Sequence, residues 1–331
     1  MGKKSLAFLV MGVFVGTLLT CCPAWSEEIV LRYAGQLPVT HHLTQADYRF
    51  AKLVGEKTGG KVKVEVYPAG QLYKGPSILK SVMSGAIEMG MTYNGTWTGS
   101  VPLMDLFDIN FLFKDYSQIE KAWQGKIGDK LRAEMEKYNV VALGFGAYGE
   151  SFSVLNKKRP LKMPQDFSGL KIRANQPMAA ESVKALGASP VMMSSSEVYM
   201  ALQRGTIDGA TSGPTTFVQR KWYEVAEYVT VAKASYSLWP IMINAGVWKK
   251  LPKDVQKALQ EAADDTTRYT IQIADSEDEK AVKVLSQNLK VLELSGAEAK
   301  AWEEAMKPVR EDFLKRTGED GQAILKMAAE M

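Results

Sequence analysis

Leu43-Thr44-Gln45-Ala46-Asp47-Tyr48-Arg49-Phe50-Ala51-Lys52-Leu53-Val54-Gly55-Glu56-Lys57-Thr58-Gly59-Gly60-Lys61-Val62-Lys63-Val64-Glu65-Val66 sets two hydrophobic periods back to back. Leu43, Ala46, Phe50, Leu53 and Val54 recur at helical spacing, whereas Val62, Val64 and Val66 alternate with Lys61, Lys63 and Glu65. Gly59-Gly60 separates the two, so the segment reads as a helix feeding a half-buried strand. The same stretch holds a phosphate-loop near-match, Gly55 to Lys61, but Val62 stands where a Ser or Thr hydroxyl would meet magnesium. A phosphate loop also follows a strand and opens a helix, and here the order is reversed. A glycine stop at a helix end is the simpler account.

Outward from this segment the alternation repeats. Ser77–Ser84 reads as helix, Ile87–Tyr93 as strand, Ile119–Tyr138 as helix and Val140–Phe145 as strand. In the second half Leu170–Arg173, Pro190–Met193, Ile207–Ala210 and Tyr228–Val231 read as strands, with helices over Met178–Leu186 and Val198–Arg204. Ser194-Ser195-Ser196-Glu197 offers a capping box before the latter. Pro252 suits a first helical turn, and no glycine or proline interrupts the chain from Lys253 into the 280s, which predicts one very long helix. Helices and strands alternating in this way predict an α/β fold, and a helix that long needs two domains to span.

The first residues bear on compartment. Lys3-Lys4, the apolar run Leu6 to Leu19 and the small residues of Ala24-Trp25-Ser26 form a secretory leader. The run is shorter than the roughly 20 residues a spanning helix needs. Cleavage after Ser26 would make Glu27 the mature N-terminus and leave 305 of the 331 residues, more than the roughly 250–300 at which one core stops growing. The leader also takes Cys21 and Cys22, the only cysteines. A cysteine-free chain of this size suits a bacterial periplasm. Leu19-Thr20-Cys21-Cys22 loosely matches a lipid-attachment site, the rival reading. Without Lys3 and Lys4 the chain carries 39 basic against 37 acidic side chains, so nucleic-acid binding has no electrostatic footprint.

Catalytic signatures do not assemble. Gly149-Glu150-Ser151-Phe152-Ser153 and Gly187-Ala188-Ser189-Pro190-Val191 both lack the closing glycine of a nucleophile elbow. His41 and His42, the only histidines, are adjacent and would point apart on a helix or strand; a solvated loop near the mature N-terminus is their expected setting. Neither an enzyme mechanism nor a metal or cofactor site is expected. Tyr93, Trp97, Tyr148, Phe152 and Trp239 fall at predicted strand ends or in the loops after them, where open α/β sheets bind ligands. Trp222 and Trp248 read as packing. Arg173 closes the strand of Gly169-Leu170-Lys171-Ile172-Arg173, a place from which a guanidinium can grip a carboxylate with two parallel bonds.

The run Pro164 to Arg173, then Gly187-Ala188-Ser189-Pro190, then Ser196-Glu197-Val198-Tyr199-Met200-Ala201-Leu202-Gln203-Arg204-Gly205-Thr206-Ile207-Asp208-Gly209, resembles the substrate-binding subunits of tripartite ATP-independent periplasmic (TRAP) transporters of the DctP type. Tyr67-Pro68-Ala69-Gly70-Gln71-Leu72, Gly85-Ala86-Ile87-Glu88, Phe111-Leu112-Phe113 and Leu251-Pro252-Lys253-Asp254-Val255-Gln256 fall in the same order. The resemblance covers essentially the whole mature chain. It implies a two-domain periplasmic binding protein type fold with a long hinge-spanning helix. Residues 27–150 with about 239–278 would form domain I, and 151–238 with about 279–331 domain II.

It further implies a receptor that binds a small organic carboxylate between the domains and hands it to the membrane subunits of a TRAP transporter. An ATP-driven uptake receptor is the alternative. Arg173 takes the place of the family's carboxylate clamp. The Asn of the family's Gln-Glu-Asn-Pro run is replaced by Ser212, and Ser153 aligns where a second arginine is often found. Those departures turn the expected ligand toward a monocarboxylate with an apolar or aromatic body. Glu150, if it faced the cleft, could instead hold the ammonium of a zwitterion. The candidate ligand-binding set is Arg173, Ser212, Glu150, Phe152, Tyr148, Trp239, Gln36, Asn94, Trp97 and Tyr93.

Overall fold

The computed structural model describes Gly2 and residues 28–331; the leader and its possible cleavage or lipid-attachment sites lie outside the described residues. The opening segment folds as its periods dictate. After β1 (Ile29–Ala34), α1 (His42–Lys57) buries Leu43, Ala46, Phe50 and Val54, and Thr58 ends it by returning its N–H to the Val54 carbonyl. Gly59 and Gly60 then turn with φ of +59° and +82°, in the left-handed region that glycine tolerates, into β2 (Val62–Tyr67).

The rest of the first half comprises α2 (Ser77–Ser84), β3 (Met89–Met91), α3 (Tyr116–Gln124), α4 (Lys126–Glu136) and β4 (Val140–Glu150). The single helix expected over Ile119–Tyr138 is two. Gly125 is extended, with φ −97° and ψ −165°, and serves as C-cap of α3 and N-cap of α4. A Cβ at Gly128 would sit 1.7 Å from the Trp123 carbonyl oxygen, so the tight corner requires a glycine there.

Beyond β4 come β5 (Ser153–Asn156), β6 (Lys171–Ala174), α5 (Pro177–Ala185), β7 (Ser189–Met192), α6 (Val198–Arg204), β8 (Gly209–Ser212), α7 (Pro214–Gln219) and β9 (Tyr228–Val231). Of the expected capping box, the Glu197 carboxylate accepts from the Ser194 N–H at 3.0 Å, while the Ser194 hydroxyl bonds Ser196. The chain then crosses back into β10 (Tyr236–Asn244), α8 (Ala245–Lys250), the 34-residue α9 (Lys253–Ser286), β11 (Lys290–Glu293), α10 (Gly296–Ala305) and α11 (Lys307–Ala329).

Two sheets result. One has the order β2-β1-β3-β10-β4, the other β11-β9-β5-β8-β6-β7. In the first, β1 runs parallel to β2 and β3 while β10 is antiparallel to β3 and β4. In the second, β6 is parallel to both neighbours and β5 antiparallel to both of its own. Each sheet with its helices forms a lobe, and the fold is the two-domain α/β architecture expected. The chain passes between lobes at the β4–β5 and β9–β10 junctions and again along α9, which packs on β4 and α1 of the first lobe and reaches α7 and β11 of the second. At 1.5 Å per residue α9 is about 51 Å long. Among the described residues no helix is long and apolar enough to cross a membrane.

Candidate functional site

Between the lobes lies a cavity of about 570 Å³. Gln36, Tyr93, Tyr148 and Trp239 line it from the first sheet, and Arg173, Asn175, Gln176, Ser212, Thr216 and Arg220 from the second. Among the described residues, Arg173 and Arg220 are its only lining residues with a charged side chain, and no acid borders it.

Arg173 arrives there because β6 is flanked on both sides by parallel strands, so its carboxyl end opens into the cleft. Its side chain is only 3% exposed. Nε donates to the Met193 carbonyl and Nη1 to the Thr211 carbonyl, both at 3.0 Å, and the guanidinium carbon lies 5.6 Å from the centre of the Trp222 ring. Trp222, expected as packing, is fully buried and forms the floor beneath the fork. Among the described residues no carboxylate comes within ion-pair distance of Arg173 or of Arg220. Burial pushes Arg173 down to about 10, and the nearby Arg220 cation acts in the same direction. Arg173 nevertheless stays charged at neutral pH.

The opposite wall is aromatic. Tyr148 stacks on Trp239 with ring centres 5.6 Å apart and planes 9° off parallel, and Tyr93 tilts against Trp239 at 6.0 Å. The Tyr148 hydroxyl reaches the other lobe, bonding the Thr216 hydroxyl and lying 3.3 Å from that of Ser212. Gln176 reaches the opposite way, its Nε2 donating to the Tyr93 hydroxyl at 3.3 Å. Tyr93 in turn donates to Asp108, which burial, aided by Asp105, pushes up to about 8.

Six of the ten candidate residues meet in this cavity: Arg173, Ser212, Tyr148, Trp239, Gln36 and Tyr93. The other four stand elsewhere. Asn94 is turned behind the wall, donating to Asp108 at 2.9 Å and so holding the acid that receives Tyr93. Trp97 and Phe152 are buried in the apolar core, where large apolar area is more stable than in a cleft. Glu150 faces a second cavity of about 430 Å³ at the hinge, with Asp275, Asp278, Glu279, Glu293, Lys233 and Lys283. Its carboxylate accepts from the Ser153 hydroxyl at 2.6 Å and from the Lys233 and Ala232 N–H groups at 2.7 and 3.2 Å. Glu150 therefore cannot hold a ligand ammonium, and Ser153 is turned toward Glu150, away from the ligand cavity.

Sequence reasoning missed Asn175, Gln176 and Arg220. Gln176-Pro177 follows the predicted strand directly and was findable by the strand-end rule. Arg220 follows the short α7 and carried no pattern. The histidines were misjudged as solvated: His41 is 1% and His42 7% exposed. His41 caps α1 through Nδ1, accepting from Leu43 N–H at 3.2 Å, and its ring stacks on His42 at 4.4 Å and on Tyr148 at 5.4 Å. The two do not point apart because His41 is still extended when His42 begins the helix. Burial pushes both below the usual imidazole range.

Two α/β lobes around a cavity that holds two arginines and, among the described residues, no acid have the architecture of a solute-binding protein. The sequence model of the bacterial extracellular solute-binding proteins, family 7 (DctP), matches residues 33–317, and the chain belongs to that family. The C4-dicarboxylate-binding periplasmic protein DctP of Rhodobacter capsulatus is 33% identical over 328 residues, covering 96% of this chain and 98% of its own. A TRAP periplasmic solute-binding protein of Desulfovibrio salexigens with bound orotic acid superposes with a TM-score of 0.86 at 25% identity, over 92% of this chain and 98% of that one. Another from Sulfurospirillum deleyianum, with bound succinate, gives a TM-score of 0.83 at 30% identity, over 91% and 98%. The family consists of TRAP solute receptors that bind small organic acids and work with membrane subunits, not of enzymes, and the ATP-driven alternative is not favoured. Its members are periplasmic.

Proposed function

We propose that this receptor captures an organic acid by its carboxylate on Arg173, lays the ligand's flat or apolar body along Tyr93, Trp239 and Tyr148, and delivers it to the membrane subunits of a TRAP transporter. The observation that carries this reading is the Arg173 fork, anchored by two backbone carbonyls yet without a carboxylate partner, in a cavity that no acid borders. A buried cation costs several kcal/mol unless paired, so the site is completed by an anion from outside. Export through the leader and closure of residues 27–150 with about 239–278 against residues 151–238 with about 279–331 belong to the same proposal.

The ligand's finer chemistry has support on both sides. The aromatic wall and the serines at 153 and 212 favour a monocarboxylate with an apolar body; the second guanidinium, Arg220, speaks against a single charge. The relatives named above bind both kinds of acid, orotic acid and succinate. Calorimetric titration of the purified protein with organic acids, repeated on Arg173→Ala, tests the reading. Wild-type binding that Arg173→Ala abolishes is the expected result. Undiminished binding by that variant would place the carboxylate elsewhere.

A further inference from the structure

Arg220 has no ion-pair partner and makes no side-chain hydrogen bond among the described residues, yet it is largely buried and lines the ligand cavity. The chain beside it is tethered across the cleft. Gln219, the residue before it, bonds both the hydroxyl and the carbonyl of Thr40 in the opposite lobe, which pins the end of α7 across the mouth of the cleft. His41, which also lies near this cation, is an imidazole, neutral or cationic, and supplies no countercharge. Arg173 differs, because two of its donor nitrogens are committed to the Met193 and Thr211 carbonyls.

We infer that Arg220 is a specificity-determining residue, a second anion contact that selects acids carrying another anionic group besides the carboxylate on Arg173. The inference rests on the Arg173 reading and goes past it. Two cations enclosed in one cavity repel each other, and a monoanion neutralises only one of them. When the lobes close over a monoacid, Arg220 is stranded with its hydration reduced, a cost that a second carboxylate removes. The second cation enters this cleft from the residue after α7, whereas Arg173 enters it on β6.

The test is calorimetric titration with matched pairs of the same carbon skeleton: succinate with butyrate, glutarate with pentanoate, and terephthalate with benzoate. Each is titrated into wild type, Arg220→Gln and Arg220→Lys, with thermal melts as the folding control. Diacids that bind should do so at least tenfold more tightly than their monoacid partners. Arg220→Gln should cost the diacid at least tenfold and leave monoacid affinity unchanged or tighter, with Arg220→Lys recovering part of the diacid loss. The proposal is overturned if no diacid binds, if Arg220→Gln leaves diacid affinity within twofold, or if it weakens both members of a pair alike. Diacid binding that Arg173→Ala abolishes and Arg220→Gln spares would overturn this inference alone and leave the Arg173 reading standing.

Discussion

The ligand cavity and the hinge cavity are separated by little more than the β4–β5 junction, and their charge is arranged in opposite ways. The first is bordered by two arginines and no acid; the second gathers Glu150, Asp275, Asp278, Glu279 and Glu293 against Lys233 and Lys283. In the first, the cations hold donors in reserve. In the second, two of the acids bond the protein's own backbone: Glu150 accepts the N–H groups of Ala232 and Lys233 on the other crossing segment, and Asp278 on α9 accepts the Glu150 N–H at 2.7 Å. Charge left unpaired marks where the molecule expects something from outside, and charge paired to backbone marks where it holds itself together.

That contrast breaks most visibly at Arg173. Arg173→Ala should weaken ligand binding by at least roughly a hundredfold, because stranding one partner of a buried ion pair costs about 3–5 kcal/mol and each 1.4 kcal/mol is tenfold. Arg173→Lys, which keeps charge without the fork, should recover only part. Titration of both variants measures this, and the melting temperature of the ligand-free protein should barely move.

The hinge should respond the other way, in stability before affinity. Gly149 has φ +104°, and a Cβ there would lie 2.5 Å from Asp278 Oδ2. Gly149→Ala should therefore lower stability by about 2 kcal/mol, from left-handed strain of roughly 1–2 kcal/mol with the clash added. Urea unfolding reads the loss, and an unchanged midpoint would remove Gly149 from the hinge argument.

A smaller effect should appear on titration. Burial outweighs the bonds from Ser153, Lys233 and Ala232 and pushes Glu150 up to about 7 from an ordinary value of 4.5. Between those values the folded state binds more protons than the unfolded chain, so stability is highest at the acid side of the window and falls as pH rises through it. Asp278 moves in the same direction and Asp108 to about 8. His41 and His42, depressed by burial, contribute the opposite slope, so the readout is the difference between wild type and Glu150→Gln: the wild-type melting temperature should lose a few degrees relative to the variant from pH 5 to 8. Parallel pH profiles of the two proteins would mean that Glu150 is ionised in the fold.

The mildest change tests the bridge between the two regions. Tyr148→Phe keeps the stack on Trp239 but loses the hydroxyl's bonds to the second lobe, worth about 0.5–1.5 kcal/mol net. A three- to tenfold loss of affinity is expected by calorimetry, with the stability of the ligand-free protein little altered.

Much of the fold was legible because its signals are local. The helical spacing of Leu43 to Val54, the alternation of Val62 to Val66 and the uninterrupted run after Lys253 each need only neighbouring residues to be read. Arg173 was legible for the same reason, since it ends a short apolar strand. What escaped depends on distant partners. β10 is buried along almost its whole length and carries Pro240, so neither alternation nor composition marks it as a strand. Pro240 is tolerated there because β3 pairs only from Ile241 onward. Glu150 follows an aromatic-rich strand end as a cleft residue would, and only the approach of Ala232 and Lys233 from the other crossing segment turns it toward the hinge. The burial of His41 and His42 likewise depends on Tyr148, far along the chain.

The two carbonyls that hold Arg173, those of Met193 and Thr211, belong to the same lobe as Arg173 itself. The fork is thus in place before the lobes meet, whereas the aromatic wall comes from the opposite lobe. On the proposed reading capture has an order in time: an acid first lands on the second lobe, held by one anchor and free to leave, and is committed only when Tyr93, Trp239 and Tyr148 swing over it. Arrival should be fast and indifferent to the shape of the acid's body, and discrimination among bodies should be written in how long each one stays.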